Sequence, residues 1–251
     1  MPALMLQPAV LSAVGRRGNN EDAAFASSRL LAVADGVGGA AAGEQASHLA
    51  ILEMVSLDKR RLVSPLEQEL AEAVADANDL ISLAAVHEPA HTGMATTLTA
   101  VAMANDGRYL IANVGDSRTY LLRDGELSQL TRDDSLVQEL IDQGALSESE
   151  ARGHPQRSVV LRALDGGRQR PVALHAVEAR LGDRLLLCSD GVTDYLTDRQ
   201  VAELVALDDT SAAVKQLVAA ALEHGSRDNV TAVIADVVAR EDPQEGWLAA
   251  L

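Results

Sequence analysis

Four aspartates stand at the ends of short apolar runs. Asp35 follows Leu-Leu-Ala-Val-Ala, Asp116 follows Leu-Ile-Ala-Asn-Val-Gly, Asp190 follows Leu-Leu-Leu-Cys-Ser, and Asp228 lies in Arg-Asp-Asn just ahead of another run. Strand ends can bring distant residues into one cleft, and hard cations such as Mg²⁺ or Mn²⁺ take carboxylates and waters as ligands. Grouped acids repel one another unless cations lie between them, so this repeated placement points to metal. A lone Asp-Gly is foremost a turn signal; the joint pattern carries the inference.

The elements that must position these acids are legible as hydrophobic periodicity. Strands are expected over Leu30 to Ala34, Ala95 to Ala104, Tyr109 to Val114, Arg118 to Leu122, Arg184 to Cys188 and Val230 to Val238, with hairpin turns at Asp106-Gly107 and Asp124-Gly125. Ser64-Pro65-Leu66-Glu67 reads as a capping box opening a helix, whose apolar stripe runs from Leu66 to Ala84; Val214, Leu217, Val218, Ala221 and Leu222 repeat that spacing. Successive hairpins with helices grouped elsewhere imply antiparallel sheets covered by helices.

Composition removes several function classes. The 251 residues carry 37 acids against 21 bases, a formal charge of −16, the wrong sign for a phosphate backbone. One Trp, three Tyr and one Phe leave little for base stacking and require a core of Ala, Val and Leu. The single cysteine, Cys188, excludes an internal disulfide, and no run of 18 apolar residues or secretory signal is present. The expectation is a cytoplasmic protein with no nucleic-acid or membrane partner. No sustained heptad pattern is present, so a monomer is expected.

Three motifs imitate other chemistries. His87-Glu88-Pro89-Ala90-His91 spells a zinc-protease signature, but Pro89 interrupts the helix that must hold both imidazoles on one face. Gly36 to Ala41 imitates a dinucleotide fingerprint, yet Asp35 would face the pyrophosphate and two long helices follow instead of a parallel strand. Cys188 has Asp194, not arginine, six positions on, so it lacks the partner of a cysteine phosphatase and reads as core.

The ordered set Arg17 to Asp22 (RGNNED), Asp35 to Gly39 (DGVGG), Gly93 to Thr97 (GMATT), Gly115 to Arg118 (GDSR), Ser189 to Gly191 (SDG) and Arg227 to Asn229 (RDN) resembles the PP2C, or PPM, metal-dependent protein phosphatases, bacterial type. Each motif alone is weak; six in order are specific. The resemblance implies an α+β fold, a four-layer α/β/β/α sandwich of two antiparallel sheets flanked by helix pairs. Residues 1–240 would form one catalytic domain with a flap at about 135–170, and 241–251 a tail. It further implies hydrolysis of phosphoserine and phosphothreonine in proteins by a metal-activated water, with two or three Mn²⁺ or Mg²⁺.

Carried over by position, the resemblance makes Asp35 the carboxylate bridging both metals and the Gly36 carbonyl a ligand of one. Asp190 and Asp228 match ligands of the other. Glu21 and Asp22 match acids contacting the metals directly or through waters, and Asp116 matches, with Asp190, a third metal's ligand. Arg17 resembles the arginine that holds the substrate phosphate, with Asp194 and Asn229 supporting this shell. The catalytic set is therefore Arg17, Asp35, Asp190 and Asp228. The residue types suit the chemistry: paired cations activate a water and neutralise phosphoryl charge, and arginine offers a planar fork to the remaining oxygens.

Val37 departs from animal relatives, which carry a histidine proposed as proton donor there, and His154 in the flap is a poor substitute. The flap holds Arg152, Arg157, Arg162, Arg168 and Arg170, read either as an attractor for phosphorylated protein or as ordinary solvated charge. The expected partners are phosphoproteins, including a Hanks-type Ser/Thr kinase or its targets, and the pathway considered is regulated secretion. The alternatives are a catalytically silent binding module of the same fold and a dinucleotide-binding oxidoreductase; the matched acids and Arg17 favour the enzyme.

Overall fold

In a strand covered on both faces, alternate side chains must both be apolar, and three strands here show what each face meets. On β3 (Leu30–Val37), Leu30, Ala32 and Ala34 point to one apolar cluster while Leu31 and Val33 point to another. β10 (Arg184–Cys188) and β11 (Val230–Ala239) divide likewise between that second cluster and a third. The computed structural model describes residues 3–38, 40–168 and 171–240. Gly39, Arg170 and the 241–251 tail of the sequence reading lie outside them.

One sheet runs β1 (Leu4–Ala13), β11, β10, β7 (Arg118–Arg123), β8 (Glu126–Gln129). The other runs β2 (Asp22–Ala26), β3, β5 (Leu98–Met103), β6 (Arg108–Val114), β9 (Leu174–Glu178), with the short β4 (Ala95–Thr96) on β3. Every pairing is antiparallel. Helices α1 (Ala40–Lys59) and α2 (Leu66–His87) cover the second sheet. The segment between β8 and β9 carries α3 (Leu136–Asp142) and α4 (Glu148–Ala151); α5 (Asp190–Thr193) follows β10. Helices α6 (Asp198–Val205) and α7 (Thr210–Glu223) cover the first sheet. Three apolar clusters thus fill the spaces between four layers, as the family resemblance implies. No helix among the described residues is long and apolar enough to cross a membrane.

Local sequence signals are met in most places and corrected in two. Asp124 and Gly125 both take positive φ, 53° and 81°, the mirror-image turn that matches strand twist between β7 and β8. Helix α2 stops at His87, and Pro89–His91 forms a separate 3₁₀ turn, so the zinc-protease pattern has no helix to sit on. The strand after α1 and α2 is antiparallel to β3, which removes the dinucleotide topology.

The capping box at Ser64 is not made. Glu69 reaches back instead to the Val63 and Ser64 amides at 3.0 and 2.9 Å, while Glu67 bonds Arg108. The single strand expected over Ala95 to Ala104 is broken at Thr97, because Thr97 Oγ1 accepts the Asp35 amide and meets Ser117 Oγ.

The far end of the inter-sheet core is closed by ions in balance. The buried Tyr109 hydroxyl donates to Asp183 at 2.6 Å, Arg123 donates to both Asp183 oxygens at 2.7 Å, and the Arg180 amide adds a fourth bond. These partners hold the Asp183 carboxyl below its ordinary range against its burial. Asp183→Ala leaves Arg123 and Tyr109 unmatched and is expected to cost about 3–5 kcal/mol in urea unfolding, against about 1 kcal/mol for Tyr109→Phe.

Candidate functional site

At the opposite end of the sandwich the acids outnumber the bases that reach them. Asp22 on β2 and Asp35 on β3 are directly opposed in the antiparallel register, both carried by the second sheet. Asp190 opens α5 where β10 ends, Asp228 precedes β11, and Asp116 lies in the turn from β6 to β7, so the first sheet and the crossing between sheets complete the rim. Burial and the charges of Asp22, Asp190, Asp116 and Asp228 push the Asp35 carboxyl well up. Asp190 is raised by burial and by Asp116, Asp194, Asp228 and Asp22. Five aspartates far apart along the chain therefore share one electrostatic environment.

Hydrogen bonds hold the surrounding backbone. Asp22 accepts from Ser189 Oγ at 2.8 Å, Ser189 Oγ in turn accepts the Thr231 amide, and the other Asp22 oxygen is buried with no partner. Burial pushes Asp22 up to about 6, aided by Asp228 and opposed by the Ser189 and Thr231 hydroxyls. Burial and Asp133 push Asp116 up to about 6 as well. Asn229 accepts the Glu21 amide at 2.8 Å and donates to the Val14 and Asn19 carbonyls, tying the loop of Arg17 and Glu21 to the start of β11. Gly36 donates to the Glu21 carbonyl, and a Cβ on Gly36 would lie 2.2 Å from the Gly43 carbonyl oxygen, so this crossing of chains requires glycine.

The remaining sequence candidates fall in the same region with specific partners. Arg17 donates to Asp228 at 2.7 Å, and Asp194 accepts from Arg157 of the flap at 3.1 Å. Asp116, Asp190 and Asp194 line a cavity of about 490 Å³ together with Val137, Arg152 and Arg157 of the segment between β8 and β9. His154 accepts the Gln156 amide and serves its own turn. Cys188 is fully buried, its thiol pushed up to about 12 by burial, which makes it core and no nucleophile.

Sequence reasoning missed Thr97, Ser117, Thr231 and Asp133, which brace the acids. Asp133 holds Arg118 by bonds of 2.6 to 3.0 Å. The first two lie inside matched motifs; Thr231 lies inside an apolar run and carried no signal.

The donor set is all oxygen, one Asp22 oxygen lacks a partner, and like charges crowd together, so these residues fit hard divalent cations. Among the described residues, no three His, Cys, Asp or Glu side chains already meet at the spacing of a bound ion. Asp228 is engaged by Arg17.

Comparison with known proteins adds an independent line. Residues 13–238 match the family profile of Protein phosphatase 2C. The chain is 47% identical over 222 residues to the Serine/threonine protein phosphatase PstP of Mycobacterium tuberculosis, covering 88% of this chain and 43% of that one, so it spans less than half of that relative's length. It is 36% identical to the Serine/threonine phosphatase stp of Listeria monocytogenes, with 86% of each covered. The crystal structure of the PstP catalytic domain in complex with two manganese ions superposes with a TM-score of 0.87 at 44% identity, covering 94% of this chain and 99% of that one.

Acids raised in the folded state stabilise it fully below their unfolded value of 3.8 and lose that contribution as pH rises through the folded value. In chelator, the melting temperature is therefore expected to fall between pH 5 and pH 7.5, as Asp22 and Asp116 ionise near 6. Asp116→Asn should flatten that fall, and Mn²⁺ should restore stability at pH 7.5; a flat melting profile in chelator would contradict the account.

Proposed function

The chain belongs to the protein phosphatase 2C family, and on that premise we propose that it hydrolyses phosphoserine and phosphothreonine in proteins with two or three Mn²⁺ or Mg²⁺ bound. The observation that carries this is the set of uncompensated carboxylates gathered from both sheets. Asp35 and the Gly36 carbonyl would hold one cation with Asp35 shared, Asp190 and Asp228 the second, and Asp116 with Asp190 a third, with Glu21 and Asp22 completing the shell. Bound cations supply an activated water and neutralise charge on the phosphoryl oxygens.

The chain's own residues then orient the ester. Arg17 lies beside Asp228 with half its side chain exposed, which supports its role in holding the phosphate oxygens. Asn229 fixes the loop that carries Arg17 and Glu21, and Arg157 on Asp194 ties the flap beside the cleft. A silent binding module is disfavoured because such modules shed acids, and here every matched acid and Arg17 is present. Residues 1–240 act as the catalytic domain with 135–170 as its flap, in the cytoplasm and as a monomer, on phosphoproteins that include a Hanks-type kinase or its targets.

Hydrolysis of p-nitrophenyl phosphate should require Mn²⁺ or Mg²⁺. Asp35→Asn and Asp190→Asn should each lower it more than about 100-fold, since even partners of metal ligands cost 10- to 100-fold. Arg17→Ala should raise KM for a phosphopeptide about tenfold with Mn²⁺ affinity kept, the loss of one charged hydrogen bond. Activity in chelator equal to that with Mn²⁺ would reject the mechanism.

A further inference from the structure

Two of the flap's arginines are engaged while two of its aliphatic side chains face solvent. Arg152 pairs with Asp198 at 3.0 Å and Arg157 with Asp194 at 3.1 Å, whereas Val159 and Leu161 are 39% and 55% exposed. Leu161 is anchored at the cleft edge: its amide donates to the Asp134 carbonyl at 2.7 Å, and the Asp134 amide donates to the carbonyl of Gly115, next to Asp116. Val37 is 45% exposed two residues beyond Asp35 on the same strand, β3. Val37 pairs with Ala95 on β4, and the adjoining Thr96 is bridged to Leu164, three residues from Leu161.

Single exposed aliphatic residues are ordinary, but Val37 two residues from Asp35 and Leu161 linked through Asp134 to Gly115 flank a charged reaction centre, where exposed apolar groups mark a contact surface. The phosphate group is the same in every phosphoprotein, so discrimination must come from the residues beside it. With Arg157 tied to Asp194 and Arg152 to Asp198, Val159 and Leu161 are exposed aliphatic side chains available to those neighbours on this side.

We infer that Val37, Val159 and Leu161 are specificity-determining residues that take an aliphatic side chain flanking the phosphoserine or phosphothreonine of the substrate. The inference rests on the phosphatase reading above and names its substrate class.

The test is a set of phosphothreonine peptides identical except for Leu, Arg or Glu beside the phosphoresidue, assayed with Mn²⁺ on the native chain. The Leu peptide is expected to show kcat/KM at least about tenfold higher than the others, equal to about 1.4 kcal/mol. Leu161→Asp and Val37→Asp should each lower the ratio of kcat/KM for the Leu peptide to that for p-nitrophenyl phosphate at least about fivefold, and Leu161→Met should retain it. Equal rates across the peptides, a preference for Arg, or an unchanged ratio in the Asp variants would overturn the inference. Absence of metal-dependent p-nitrophenyl phosphate hydrolysis in the native chain would instead remove the phosphatase reading beneath it. If an Asp variant fails to fold, the native peptide series still decides.

Discussion

Repulsion among partly desolvated carboxylates is the constraint around which this molecule is arranged. Burial and neighbouring acids raise the cost of ionising Asp22, Asp35, Asp116 and Asp190, and among the described residues no arginine hydrogen-bonds to any of these four. A fold tolerates such a cluster only if other interactions hold its backbone in place, since the acids themselves push outward. The polar bonds at this end supply that restraint. Thr97 and Ser117 join β5 to the turn carrying Asp116, Ser189 joins Asp22 to β10, and Asn229 joins the Glu21 loop to β11.

The two ends of the same inter-sheet core therefore solve opposite problems. Around Asp183, two bonds from Arg123, the Tyr109 hydroxyl and a backbone amide satisfy a buried carboxylate, and that end is closed. Around Asp35 the polar partners go to backbone and hydroxyl groups, leaving carboxylate oxygens, one of them on Asp22 without a hydrogen bond, for ligands the protein itself does not provide. Stability is concentrated at one end and ligand capacity at the other, a division expected where function needs a destabilised site.

The flap links these features to what lies outside the cleft. Val160 bridges to Ser135 within it and Leu164 bridges to Thr96 outside it, Arg157 and Arg152 cross to Asp194 and Asp198, and Thr96 Oγ1 donates to the carbonyl of Asp35. A shift of the flap root would thus reach the backbone of a central acid through two hydrogen-bonded steps, with no need for a longer path.

Much of this was readable without coordinates. Apolar runs located β3, β6, β7, β10 and β11, and Asp-Gly pairs located two hairpins, because strand periodicity and positive φ are local properties. The dyad of Asp22 and Asp35 was not readable as a pair, since β2 is short and its register with β3 is set by packing. The break at Thr97 and the failure of the Ser64 cap escaped for a similar reason: a hydroxyl or a glutamate chose a tertiary partner over the local one. By itself, then, the sequence determined that acids stand at strand ends in a family-specific order, because residue type and spacing are written along the chain. Only the tertiary structure decided that those acids share one field, that Arg17 lies on Asp228 and that Arg152 and Arg157 are engaged by Asp198 and Asp194, because charges interact through space, at distances that chain position does not encode.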